Sequence, residues 1–234
     1  MELGSTRRRP PDATDLAEAL RGAAETLGHR PAITVLRPDR RDEQGFASLL
    51  RWTAKGAHLL ELECLLEPGD RVRLHSPAGW PAAVVCLAAW WIGAGLTVDR
   101  DAPVAVHHEQ LHAPEDADDV YAVGDAPDGT PTAQTSSEPW AVAVQAFPDV
   151  HPNPQAAAQR PALFTGGEQR TQAELLAAAH QWQDEGALGM PANVEPAVWI
   201  PAIIRPLVTG EPTVILAGVD RGAASAERVA VWAR

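Results

Sequence analysis

Apolar residues recur with helical spacing at Leu16, Leu20, Ala23, Ala24 and Leu27, which predicts a helix over 12–28. Asp12 or Thr14 would cap it and Gly28 would stop it. Ala32–Leu36 then reads as a strand, and Phe46 to about Leu66 as a second amphipathic helix. Glu67-Pro68-Gly69-Asp70 has turn chemistry, and Arg71–His75 alternates as a strand. From Trp80 to Val98 there is no charge at all. Pro81 at its start and Gly93-Ala94-Gly95 within it divide this run into a buried helix (80–93) and a strand (95–98), not a membrane span.

The pattern changes between 113 and 160, where prolines are mixed with Asp, Gly, Ser and Thr. Two short apolar runs, 120–123 and 140–144, are expected as strands between long polar connections. After Arg160 the alternation returns: a strand at 161–165, helices over 171–185 and 195–208, a strand at 213–217 and a closing helix at 223–232. Pro31-Ala32-Ile33 and Trp52 come back, equally spaced, as Pro161-Ala162-Leu163 and Trp182, so the second half echoes the first. Strands alternating with helices predict an α/β fold of two lobes, each with a mostly parallel sheet flanked by helices. The expected division is a first lobe at 12–112, a Pro-rich connection at 113–160 and a second lobe at 161–234.

Composition narrows the function. With 45% hydrophobic and 21% charged residues the chain is globular, and a net charge of −12 argues against nucleic acid or anionic lipid as partner. Arg7-Arg8-Arg9 is too short and terminal to reverse that, and reads as a solvated tail. Cys64 and Cys86 show neither CxxC nor metal spacing and are expected as reduced, buried thiols of a cytoplasmic protein; the first residues contain no secretory signal. Lys55 is expected as a solvated side chain. The tryptophans are expected in cores, with at least one of Trp90 and Trp91 near a lobe surface.

One stretch carries more than pattern. Phe46-Ala-Ser-Leu-Leu-Arg-Trp-Thr-Ala-Lys-Gly-Ala, then Pro68-Gly69-Asp70-Arg71-Val72, then the apolar helix ending Ala89-Trp90-Trp91-Ile92-Gly93-Ala94, resembles the opening of the adenylate-forming superfamily. In particular it is similar to short bacterial proteins that match only the N-terminal region of these synthetases. The resemblance implies the sheet subdomains of that region. It also implies a phosphate loop, a strand followed by a Ser/Thr/Gly-rich turn ending in Pro-Lys-Gly, whose amides and lysine hold ATP.

The matching place here is Phe164 to Thr171. Thr165, Gly166, Gly167 and Arg170 form the loop remnant, while Glu168 and Gln169 stand where hydroxyls belong and no lysine follows. The family's aromatic-Gly-x-Thr-Glu and Thr-Gly-Asp motifs do not appear, and with Lys55 the one lysine, its C-terminal catalytic lysine has no counterpart. A catalytically degenerate relative is therefore expected, a binding or regulatory module. Its partner would be another protein or a full-length synthetase, or a small acyl or nucleotide-like ligand in a cleft near Thr165–Arg170 and Asp220. No cofactor is expected; ATP or AMP with Mg²⁺ would enter only if the altered loop still binds.

Two alternatives stand beside it. One is a residual ligase-like enzyme that uses the altered loop. The other is a zinc hydrolase, because His108-Glu109-Gln110-Leu111-His112 fits HExxH, with His108 and His112 as ligands and Glu109 activating water. Pro103 and Pro114 leave little room for the helix this needs, and Val104–Val106 alternates like a strand, so solvated loop histidines are the expectation.

Overall fold

The computed structural model describes residues 9–182 and 185–233. Arg7, Arg8 and part of the end of the helix expected over 171–185 lie outside the described residues. The chain begins with α1 (Leu16–Leu27), whose cap is Asp15, not Asp12 or Thr14: its carboxylate accepts from the Glu18 amide at 2.9 Å. Strand β1 (Pro31–Leu36) turns back as β2 (Arg41–Gly45), an antiparallel partner that the charged sequence RDEQG does not announce. Next come α2 (Phe46–His58), continued by a π-helical turn at Leu59–Glu63, then β3 (Arg71–His75), α3 (Trp80–Trp91) and β4 (Gly95–Thr97). Strands β5 (Val104–His108), β6 (Asp119–Val123) and β7 (Glu138–Pro139) follow.

The expected strand at 140–144 is instead α4 (Trp140–Ala143) and a 3₁₀ turn. Trp140, Ala141 and Val144 are buried while Val142 is exposed, which is a helical and not an alternating pattern. The last third contains β8 (Pro161–Thr165), β9 (Glu168–Thr171), α5 (Gln172–His180), β10 (Ala187–Pro191), α6 (Pro196–Thr209), β11 (Thr213–Leu216) and β12 (Val229–Trp232). Thr171 and Glu174 form a reciprocal capping box at the start of α5. The expected closing helix is a 3₁₀ segment, Arg221–Glu227, ended by Arg228 in the left-handed region (φ 52). Beyond it Val229–Trp232 continues as a strand. Inside α6, Pro206 cannot bond the Ala202 carbonyl, and the Thr213 hydroxyl takes it at 2.6 Å.

Two sheets result. One has the order β12-β10-β11-β1-β2, the other β7-β6-β5-β3-β4-β8-β9. All neighbours are parallel except β2 and β9, each the antiparallel edge of its sheet. The boundaries at 112 and 161 do not separate the sheets, because β1–β2 join β10–β12 while β8–β9 join β3–β7. The sequence echo has a structural counterpart. Strands β11-β1-β2 and β4-β8-β9 repeat one arrangement, with the same irregularity after Pro31 and after Pro161.

Helix α3 packs against strands of both sheets and is buried along its whole length. That is why Trp90 and Trp91 are both in the core, 0% and 3% exposed, and neither reaches a surface. Lys55 is likewise not free: its ammonium donates to the Phe147 carbonyl at 2.7 Å and pairs with Asp149 at 3.0 Å. Cys86 is buried, whereas Cys64 is half-buried, with burial pushing its thiol up to about 11. Among the described residues no helix is long and apolar enough to cross a membrane.

Candidate functional site

In parallel α/β sheets, ligands collect outside the carboxyl ends of the strands, where loops and helix starts converge. Here the ends of β3, β4 and β5 from one sheet and the loop after β10 from the other enclose a cleft of about 310 Å³. Leu74, Val98, Leu111 and Val194 give it apolar walls; His75, Ser76, His108, Gln110, Asn193 and Glu195 supply polar groups. The two sides are tied where the Ala78 amide donates to the Ala192 carbonyl at 2.7 Å. His75 sits at the mouth, where partial burial, then the Arg73 cation and neighbouring His107, lower its pKa. It is neutral at neutral pH. No lysine or arginine lines the cleft.

Behind the cleft, a charged latch links the sheets. The Gln110 amide donates to His108 Nδ1 at 3.3 Å, so the proton is on Nε2, 3.2 Å from the Asp125 carboxylate. Arg37, at the end of β1, reaches the same carboxylate at 2.6 Å and Asp42 at 3.2 Å. The His108 hydrogen bond first, and then Arg37, hold the Asp125 carboxyl below its usual range.

The HExxH letters are thereby accounted for. His108 is not a solvated loop residue but buried at the end of a strand; no helix follows, so His108 and His112 do not share a face, and His112 lies on a separate groove. Glu109 Oε1 accepts the Asp125 amide at 2.7 Å. Its Oε2 accepts the Thr132 amide and hydroxyl and the Ala133 amide at 2.7–2.8 Å. His108, Glu109 and Asp125 do offer donor atoms within 4.8 Å of one another. Each is already engaged, and the Asp125 carboxylate is also paired with the Arg37 guanidinium.

A second cluster, His58, Glu61 and His151, also falls within 4.8 Å. Trp91 Nε1 can only donate, and it faces His151 Nδ1 at 3.2 Å; the His151 proton is therefore on Nε2, 2.9 Å from Glu61. A metal on Nε2 would force that proton onto the nitrogen the indole already occupies. With His58 Nε2 on the Val150 carbonyl at 3.0 Å, the cluster instead straps 147–151 against α2.

The loop remnant is a β-hairpin. Thr165 pairs with Glu168 across a two-residue turn, Gly166 (φ 54) and Gly167 (φ 87), the double positive φ of a tight hairpin turn. Arg170 lies on β9 opposite Leu163. The Gly166 amide is taken by Asp99 Oδ2 at 2.7 Å, so a carboxylate occupies one of the turn's donors. A Cβ at Gly167 would meet open space, and only backbone strain opposes it. Gly167→Ala should accordingly cost about 1 kcal/mol in urea unfolding.

Asp220 is spent as a cap, accepting the Gly222 amide at 2.8 Å. Neither it nor Thr165–Arg170 lines the cleft, although β8 and β11 end on the same side as the cleft-forming strands of their sheets. His75, Ser76, Asn193 and Glu195 were not expected from sequence. The signal for the first two was available: they end and follow a strand that reads as parallel. Asn193 and Glu195 depend on β10, whose glycine and proline hide it.

No protein-family model matches the chain, and no curated protein matches its sequence. Solved structures share its fold. The N-terminal domain of FACL13 from Mycobacterium tuberculosis superposes with a TM-score of 0.73 at 15% identity, covering 93% of this chain and 62% of that one. A putative long-chain-fatty-acid CoA ligase from Rhodopseudomonas palustris gives 0.71 at 19%, covering 93% and 62%. The anthranilate CoA ligase AuaEII, in complex with anthranoyl-AMP, gives 0.70 at 12%, covering 99% and 51%. The fold is that of the N-terminal part of acyl-CoA synthetases, and the chain spans between half and two thirds of each of these chains. At such identities the likeness is one of fold.

Proposed function

We propose that this chain is a binding or regulatory module on the scaffold of an adenylate-forming ligase, and that it does not itself form an acyl-adenylate. The observation that carries this reading is the hairpin at 161–171. ATP needs several free amides and a cation around its phosphates. The turn here has two residues, with one amide already bound to the Asp99 carboxylate and Glu168 immediately after it. A carboxylate a few ångströms from a polyphosphate costs on the order of a few kcal/mol at an effective dielectric near 20. The cleft between the sheets is retained, and it fits a small ligand or a short partner segment, such as one from a full-length synthetase.

Thermal unfolding with and without ATP·Mg²⁺ and AMP, together with pyrophosphate release in the presence of carboxylic acids, tests the proposal. No nucleotide should raise the unfolding temperature and no pyrophosphate should appear. A ligand at 100 times its dissociation constant would add about 2.7 kcal/mol, well within detection. A clear ATP shift or steady pyrophosphate release would establish a ligase and end the module reading.

A further inference from the structure

A serine–histidine pair lies outside the cleft. His107, on β5, is 3% exposed. Its Nδ1 is 3.1 Å from the His108 carbonyl and 3.2 Å from the Leu111 carbonyl. Carbonyl oxygens only accept, so Nδ1 carries the proton and Nε2 presents a lone pair. That lone pair is 2.9 Å from Ser137 Oγ, and the hydroxyl is therefore the donor. This is the protonation state in which a histidine removes a proton from a serine, with the base oriented by a third group. The orienting group is backbone, so the ring is held by the turn after β5.

The serine is also accessible. Ser137 is half-buried and forms part of the wall of an open groove of about 530 Å³, with His112, Glu115, Ser136 and Glu138. Its position is fixed from both sides. Its amide donates to Thr135 Oγ1 at 3.2 Å, and the next residue, Glu138, pairs with Tyr121 of β6.

We propose that Ser137 is a nucleophile for uncharged or cationic acyl esters bound in this groove, with His107 as its general base. Glu115 and Glu138, with no lysine or arginine in the lining, disfavour anionic esters. Ser137 Oγ attacks the ester carbonyl carbon as its proton passes to His107 Nε2. The Oγ–C bond forms, the ester C–O bond breaks, and His107 returns the proton to the leaving alkoxide, which departs as alcohol. Water then hydrolyses the acyl-serine, releasing the carboxylic acid and restoring the hydroxyl. The His108 and Leu111 carbonyls stabilise the transient imidazolium through Nδ1–H, the role a carboxylate plays in a catalytic triad.

The test is labelling of the whole chain with an alkyl fluorophosphonate. Oγ–P forms, P–F breaks, fluoride leaves and the adduct is stable for mass mapping. The expected result is one equivalent on Ser137 of the folded protein, none on urea-unfolded protein, none on Ser137→Ala, and labelling of His107→Gln slowed roughly 100-fold or more. Peptide mapping of the native protein locates the adduct whether or not a variant folds. Absence of an adduct, an adduct at another residue, or equal labelling of unfolded chain would overturn the nucleophile. A His107→Gln rate equal to the native one would overturn the base. Ser137 and His107 belong neither to the hairpin nor to the cleft lining, so the labelling result is read independently of nucleotide binding.

Discussion

Trp90→Ala should destabilise the chain by roughly 3–5 kcal/mol in urea unfolding, the range for removing a large aromatic from a packed core. Trp90 is wholly buried near the end of α3. Its indole N–H donates to the Ala162 carbonyl of β8 at 2.8 Å. Its own carbonyl accepts Gln172 Nε2 at 3.2 Å, and Gln172 Oε1 accepts the Leu16 amide at 3.0 Å. One residue thus ties the central helix to β8, α5 and the start of α1. Trp90→Phe separates the contributions: it keeps most of the volume but leaves the Ala162 carbonyl without its donor, for a loss of about 1–3 kcal/mol. A change below 1 kcal/mol for Trp90→Ala would mean that α3 is not enclosed as described.

Glu109→Ala is expected to cost roughly 2–3 kcal/mol, because three backbone amides and a hydroxyl lose a charged acceptor at once. Burial alone would raise the Glu109 carboxyl, but these four hydrogen bonds outweigh it and lower its pKa. The Asp125 carboxyl is lowered too. At mildly acid pH the unfolded chain therefore binds more protons than the folded one. The stabilisation is complete above the ordinary carboxylate range and is lost as pH falls through the folded values. Urea midpoints should drop on acidification below about pH 4–5 in the native protein, and less steeply in Glu109→Ala. A change below about 1 kcal/mol would mean that Glu109 does not hold the 125 and 132–133 segments together as described.

Much of the fold is legible in the sequence where one physical signal acts alone. The unbroken apolar stretch at 80–91 makes α3, Glu67–Asp70 makes a turn, and the 31–36 and 161–165 runs make strands. Strands with polar or turn-forming residues are not legible. RDEQG and EQRT are edge strands whose exposed face needs no apolar side chain, and ALGMP is paired on both sides by strands it cannot announce. The site was legible only at its end of the fold. The resemblance pointed to the strand ends around Thr165, but the cleft lining is set by how the two sheets meet, which depends on pairings far apart in sequence.

Those distant pairings have a consequence during synthesis. Strand β1 leaves the ribosome well before its parallel neighbour β11, with which it pairs Ile33 beside Thr213. At about 5–20 residues per second, the nascent β1–β2 hairpin waits on the order of 10–40 s before its sheet can be completed. Throughout that interval the edge of β1 that pairs with β11, and the parts of β1 and α1 that pack against α6, have no final cover. This makes the emerging first half a natural client for holding chaperones, and sets a delay that no rearrangement within that half can shorten.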